Sequence, residues 1–125
     1  MIFGIGVDIV EICRMQENIE QYRERFAQKI LCENEMTEYN HTSYPAHFLA
    51  KHFAAKEAFV KALGTGFSNG INLKDIHVNH ESDGRPVFRF SDKLFKKITT
   101  NGISSCHLSL SDEKEYACAF VVLEK

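Results

Sequence analysis

Phe48-Leu49-Ala50-Lys51-His52-Phe53-Ala54-Ala55-Lys56-Glu57-Ala58-Phe59-Val60-Lys61-Ala62-Leu63-Gly64-Thr65-Gly66 reads as a long helix rich in alanine, leucine and phenylalanine, closed by a glycine. Phe48, His52, Ala55, Phe59 and Leu63 recur at helical spacing, with Leu49, Phe53 and Val60 beside them, so a broad face is predicted to be core. Ala50, Ala54, Glu57 and Lys61 form a third stripe. Its alanines leave room for something to approach, and Glu57 stands one turn from Lys61. The pair is readable either as a solvated contact worth roughly 0.2–0.5 kcal/mol or as an acceptor and a cation offered to a ligand. Charge among small and apolar neighbours needs a reason, for Lys56 as much as for Glu57 and Lys61.

Upstream, residues 1–10 are a nearly continuous apolar run with β-branched members, the pattern of a buried strand. Its alternation puts Gly4, Gly6 and Asp8 on one face, a flat and open patch, and Phe3, Ile5, Val7 and Ile9 on the other. Ile19, Tyr22, Phe26 and Ile30 then recur at helical spacing, a shorter helix is expected around residues 35–39, and Pro45 ends a polar loop. Downstream, residues 65–72 hold two glycines and two asparagines, a flexible connection beside the charged stripe. Asp83-Gly84 joins strands at 75–80 and 86–90 as a hairpin. Ser91 caps a short helix that ends at Asn101-Gly102, and alternating strands follow at 106–111 and 116–123.

Strands come early, in the middle and at the end instead of alternating strictly with helices. The expectation is an α+β fold with a mostly antiparallel sheet packed against the long central helix. With 125 residues, the chain 1–125 is one domain with a core large enough to need no disulfide staples. The four cysteines are widely spaced and include no C-x-x-C pair; no signal peptide is recognised, so free thiols in a cytoplasmic protein are expected. No apolar run reaches a membrane-spanning length. A net charge of −2 and a pI near 6.3 argue against a generic nucleic-acid binder. Among the six histidines none is paired at i, i+4, so zinc is set aside.

Asp8, in the middle of an apolar strand, loses too much solvation to stay charged without partners. It is either a hydrogen-bonded or capping carboxylate, or, joined by Glu57, one of two hard ligands suited to Mg²⁺ with water and phosphate oxygens completing the shell. Gly4-Ile5-Gly6-Val7-Asp8-Ile9-Val10-Glu11-Ile12 with Arg14, and Phe53-Ala54-Ala55-Lys56-Glu57-Ala58-Phe59-Val60-Lys61-Ala62, resemble the two signature motifs of the 4′-phosphopantetheinyl transferases. Within them, the resemblance is closest to the short holo-acyl-carrier-protein synthase family. It extends along the whole chain through Arg25-Phe26-Ala27, Lys29-Ile30-Leu31, Leu63-Gly64-Thr65-Gly66, Asp83-Gly84-Arg85-Pro86, His107-Leu108-Ser109-Leu110-Ser111 and Tyr116-Ala117.

The resemblance implies the 4′-phosphopantetheinyl transferase fold and transfer of phosphopantetheine from coenzyme A to a serine of apo acyl carrier protein in fatty acid biosynthesis. It implies Mg²⁺ on Asp8 and Glu57, phosphate contact from Lys61, and Glu57 as the candidate base. Lys56 either touches phosphate or buttresses the helix. Gly64, His107, Ser109 and Ser111 fall in coenzyme-binding positions, although the last three also read as the exposed face of an edge strand. Two departures stand out: Asp112 replaces a histidine common in the family, and Tyr44-Pro45-Ala46-His47 replaces arginines, leaving His47 as the cation there.

An acidic acceptor needs local positive charge, for which Arg14, Arg25 and Lys29 are the candidates, unless their helix is merely solvated. The resemblance further implies a homotrimer with sites between subunits. A non-catalytic coenzyme A or nucleotide-binding module is the alternative reading.

Overall fold

The computed structural model describes residues 1–68 and 70–125; Asn69, in the predicted 65–72 connection, lies outside the described residues. The chain opens with strand β1 (Ile2–Glu11), passes through helices α1 (Ile12–Tyr22), α2 (Glu24–Ile30) and α3 (Glu33–Tyr39), and enters the long helix α4 (Pro45–Leu63). A 3-10 turn at Leu73–Asp75 leads to the hairpin β2 (Ile76–His80) and β3 (Pro86–Phe90). Helix α5 (Asp92–Thr100) and strands β4 (Ser105–Asp112) and β5 (Tyr116–Glu124) complete the fold. The sheets are β1-β5-β4 and β2-β3, antiparallel throughout, so the α+β expectation holds.

Helix α4 is laid across the inner face of the three-stranded sheet, and the β1 glycines allow it to come close. A Cβ built on Gly4 would overlap the Ala62 carbonyl oxygen, and one on Gly6 would overlap that of Ala58. The glycine face is therefore filled by helix backbone instead of standing open as the alternation suggested. Ala50 and Ala54 are likewise wholly buried, so what their small size admits is protein packing. On the far side of α4, Phe59 packs against Phe88 and Phe90 with ring centroids 5.3 and 5.0 Å apart. Burying such a ring contributes about 1.5–3 kcal/mol.

Local signals operate as expected at several ends. Pro45 opens α4, and Gly64 closes it at φ 88°, a conformation that favours glycine. Ser91 accepts a hydrogen bond from Leu94 N, capping α5. Two readings are corrected. Strand β1 is buried on one face only, since Ile5, Val7 and Ile9 on the other are 55–65% exposed. The helical run through Ile19 and Ile30 is broken at Arg23, a non-glycine residue at φ 58°, ψ −143°.

Gly6→Ala should cost at least about 3 kcal/mol, because its methyl group meets helix backbone instead of a movable side chain. Urea denaturation midpoints for the variant and the parent check this; an unchanged midpoint would show that β1 and α4 can separate freely.

Candidate active site

The close contact of β1 with α4 brings Asp8 beside the last turns of the helix. Lys61 donates from Nζ to Asp8 Oδ1 at 3.1 Å and to the Val7 carbonyl oxygen at 2.9 Å. The Asp8 side chain is 16% exposed and that of Lys61 52%, so the carboxylate is fixed while the ammonium can leave it. Glu57, one turn earlier on α4, is half-buried. Burial and then the negative charge of Asp8 push its carboxyl above the ordinary value, against a smaller opposing pull from Lys61. Asp8, Glu57 and Lys61 therefore converge, which their spacing along the chain could not show.

Glu57 lines two cavities. One, of about 520 Å³, is walled by Asp8, Arg14, Phe26, Lys29 and Phe53 among others. The second, of about 760 Å³, is bordered by Arg25, Lys29, Phe67, Asn72 and Lys74. Arg14, Arg25 and Lys29 are all exposed and stand around the Asp8–Glu57 edge, although α1 and α2 are separate helices. Cation and carboxylate thus face the same openings.

Lys56 does not. Its side chain is wholly buried, and Nζ donates to Glu35 Oε1 at 2.7 Å and to the Ile30 carbonyl oxygen at 2.6 Å. The expected phosphate contact is corrected: Lys56 is the buttress of the two roles, because a buried ammonium with two protein acceptors faces no ligand. Glu35 is the residue that sequence reading missed. Its carboxylate also accepts from Cys32 N at 2.9 Å and Val78 N at 3.0 Å. The one local signal was its place three residues after the N-cap Cys32, the spacing of a capping box. Burial raises the Glu35 carboxyl, yet Lys56, His52 and the hydrogen bonds outweigh it and hold the group below its ordinary range.

His52 closes this buried group. Its Nδ1 donates to the Phe48 carbonyl oxygen at 2.9 Å, its ring stacks on Phe48 with centroids 4.0 Å apart, and Nε2 faces Glu35 Oε2 at 3.6 Å. Burial drives its pKa down to about 4 against the attraction of Glu35.

The remaining candidates lie elsewhere. His47 lines a separate cavity of about 480 Å³ with Tyr44, Phe48, Lys51, Asp112 and Lys114. Two lysines thus stand where His47 was expected to be the sole cation, and Asp112 lies 3.8 Å from Lys51. His107, Ser109 and Ser111 are exposed on β4, where His107 pairs with Glu124. Gly64 is exposed at the end of α4 with open space around it.

Residues 4–121 match the sequence profile of the 4′-phosphopantetheinyl transferase superfamily. The holo-[acyl-carrier-protein] synthase of Nitrosospira multiformis is 49% identical over 125 residues, covering 100% of both chains. Among solved structures, the holo-[acyl-carrier-protein] synthase of Neisseria meningitidis superposes with a TM-score of 0.96 at 42% identity and full coverage of both chains. That of Bacillus anthracis, in complex with coenzyme A (3′,5′-ADP), gives 0.81 at 37% identity, covering 98% of this chain and 96% of its own. The Helicobacter pylori protein in complex with coenzyme A gives 0.84 at 28% identity, covering 96% of this chain and 99% of its own.

The buried group makes stability depend on pH. As pH falls below the ordinary histidine value of 6.5, the unfolded chain takes up a proton at His52 that the folded chain refuses until about pH 4. The contribution of His52 is therefore complete above 6.5 and lost toward 4, by roughly 3 kcal/mol. Glu35, with its lowered carboxyl, contributes above its unfolded value and loses this as pH falls through the folded one. Denaturation at pH 7 and pH 4 should show wild type losing more stability than His52→Leu; equal losses would contradict the assignment.

Proposed function

We propose how the residues of this chain, which belongs to the 4′-phosphopantetheinyl transferase superfamily, carry out their reaction. The chain transfers the 4′-phosphopantetheine moiety of coenzyme A to a serine of apo acyl carrier protein, giving the holo carrier and adenosine 3′,5′-bisphosphate. The observation that carries the mechanism is the convergence of Asp8 and Glu57 on one cavity edge with Lys61 at hand.

Two carboxylates of like charge facing a shared opening, one raised in pKa by burial and by the other, suit a divalent cation. Mg²⁺ takes one or two protein carboxylates and fills its remaining positions with water and substrate phosphate. Asp8 and Glu57 would hold Mg²⁺. When bound, it would neutralise the charge that develops on the transferring and leaving phosphates.

The chain's own groups do the rest. Lys61, half exposed, exchanges Asp8 for a phosphate oxygen of the donor. Glu57, its carboxyl made more basic by burial, takes the serine proton directly or through water. The serine oxygen bonds to the phosphorus of the phosphopantetheine phosphate as the bond to adenosine 3′,5′-bisphosphate breaks. Arg14, Arg25 and Lys29 meet the acidic acceptor. Gly64 and the α4 end receive the donor, and Lys51 and Lys114 beside His47 offer positive charge to its nucleotide phosphates.

The working form is a homotrimer. Ile5, Val7 and Ile9 of β1 are neighbours of Val122, Phe120 and Cys118 of β5, and with His107, Ser109 and Ser111 of β4 they make one outer sheet face. An exposed apolar patch of that continuity suits further copies of the chain. The His47 cavity is separate from the Asp8–Glu57 edge, as expected if neighbouring subunits complete each site. Four unbridged cysteines support a cytoplasmic setting.

Asp8→Asn and Glu57→Gln should each lower turnover by about 100-fold or more, with thermal melts that remain cooperative. The intact mass of the acceptor, with and without chelator, measures this. Modification that survives chelator at full rate refutes the metal role, and coenzyme A binding without modification would point to a mere binding module. Val7→Asp should convert the trimer to smaller species by light scattering and reduce turnover at least tenfold; a fully active monomer would refute the assembly.

A further inference from the structure

Glu35 and Lys56 take no part in the mechanism above, yet they form a buried ionic pair, and burying such a pair is expensive. Replacing such pairs with apolar residues is often neutral or stabilising, so stability alone does not account for this one. What the pair joins is informative. Glu35 belongs to α3 and accepts from β2 at Val78 N, while Lys56 belongs to α4 and reaches the Ile30 carbonyl oxygen at the end of α2. Ile30 ends α2, where a helix leaves carbonyls without partners and favours a cation.

Helix α2 needs such a fastening. It has seven residues, too few to be stable alone, and buries only Ala27 and Ile30. At its other end Arg23 is held in a backbone conformation that favours glycine, which persists only where surrounding structure imposes it. The helix carries Arg25 and Lys29 to the cavities lined by Glu57, the residue directly after Lys56.

We propose that Glu35 and Lys56 are positioning residues for the acceptor: they tie the end of α2 to the turn of α4 that bears Glu57 and so set Arg25 and Lys29 relative to it. The inference rests on the reading that these cations meet the acidic acceptor. One buried tether thereby relates the surface that recognises the carrier to the carboxylate that receives its serine.

The double variant Glu35→Gln/Lys56→Met tests this without leaving a lone buried charge. Acceptor KM should rise about tenfold, equivalent to about 1.4 kcal/mol, while coenzyme A KM and kcat stay within about twofold. Amide hydrogen exchange at residues 27–31 should accelerate about tenfold or more, with β5 unchanged. Glu35→Asp, which keeps both charges and shortens the reach, should raise acceptor KM about threefold and serves if the double variant does not fold. Wild-type exchange in α2 overturns the tether, and a uniform loss of kcat with both KM values unaltered overturns the positioning role. Arg25→Glu separates the two readings: an unchanged acceptor KM there defeats acceptor docking on α2, and with it the inference as stated.

Discussion

Everything at the site depends on how closely β1 approaches α4. Gly4 and Gly6 have no Cβ, and the carbonyl oxygens of Ala62 and Ala58 take up that space. Asp8 continues the same face of the strand and so arrives beside Lys61, while Glu57 comes into electrostatic reach of Asp8. A wider separation would leave Asp8 apart from the Glu57–Lys61 pair. The glycines matter here through the backbone contact they permit, since β1 is extended and neither has a positive φ.

Three charges within six residues of one helix meet three different fates. Lys61 reaches solvent, Glu57 is half-buried, and Lys56 is enclosed. Their order in the chain does not set this; the elements covering each position of α4 do. The sheet covers one side, while α2, α3 and the β2-β3 hairpin cover another. Where Lys56 is enclosed, the Glu35 carboxylate and the Ile30 carbonyl oxygen accept from it, and the same enclosure keeps His52 neutral over the working range. Where Glu57 is only partly covered, its carboxyl becomes more basic without losing contact with the cavities.

Much of the fold was legible because it rests on local chemistry. Asp83-Gly84 marks the hairpin, Ser91 caps α5, Gly64 ends α4, and the alternation of His107, Ser109 and Ser111 with Cys106, Leu108 and Leu110 assigns the faces of β4. The break at Arg23 was not legible, since no glycine or proline marks it and the strain is held by packing. Nor was the exposed side of β1: an apolar run by itself does not show that one of its faces is left uncovered. In the site, Asp8, Glu57 and Lys61 were named through the motif resemblance, since spacing alone also allowed a solvated Glu57–Lys61 pair. Lys51 and Lys114 beside His47 could not be named, because residues distant along the chain form that cavity.

From the order of its residues this chain specifies an α+β arrangement, a helix presenting charges at known intervals, a strand with a glycine face, and membership in its family. The first three depend on propensity, periodicity and turn chemistry, each local to a few positions, and the last on the motifs around Asp8 and Glu57. The partners of the charges are decided by folding. Lys56 meets Glu35 across 21 residues, and Lys61 meets Asp8 across 53. Burial then sets which charges are neutralised inside the protein and which stay available to a ligand, because desolvation depends on everything packed around a group and not on its neighbours in sequence.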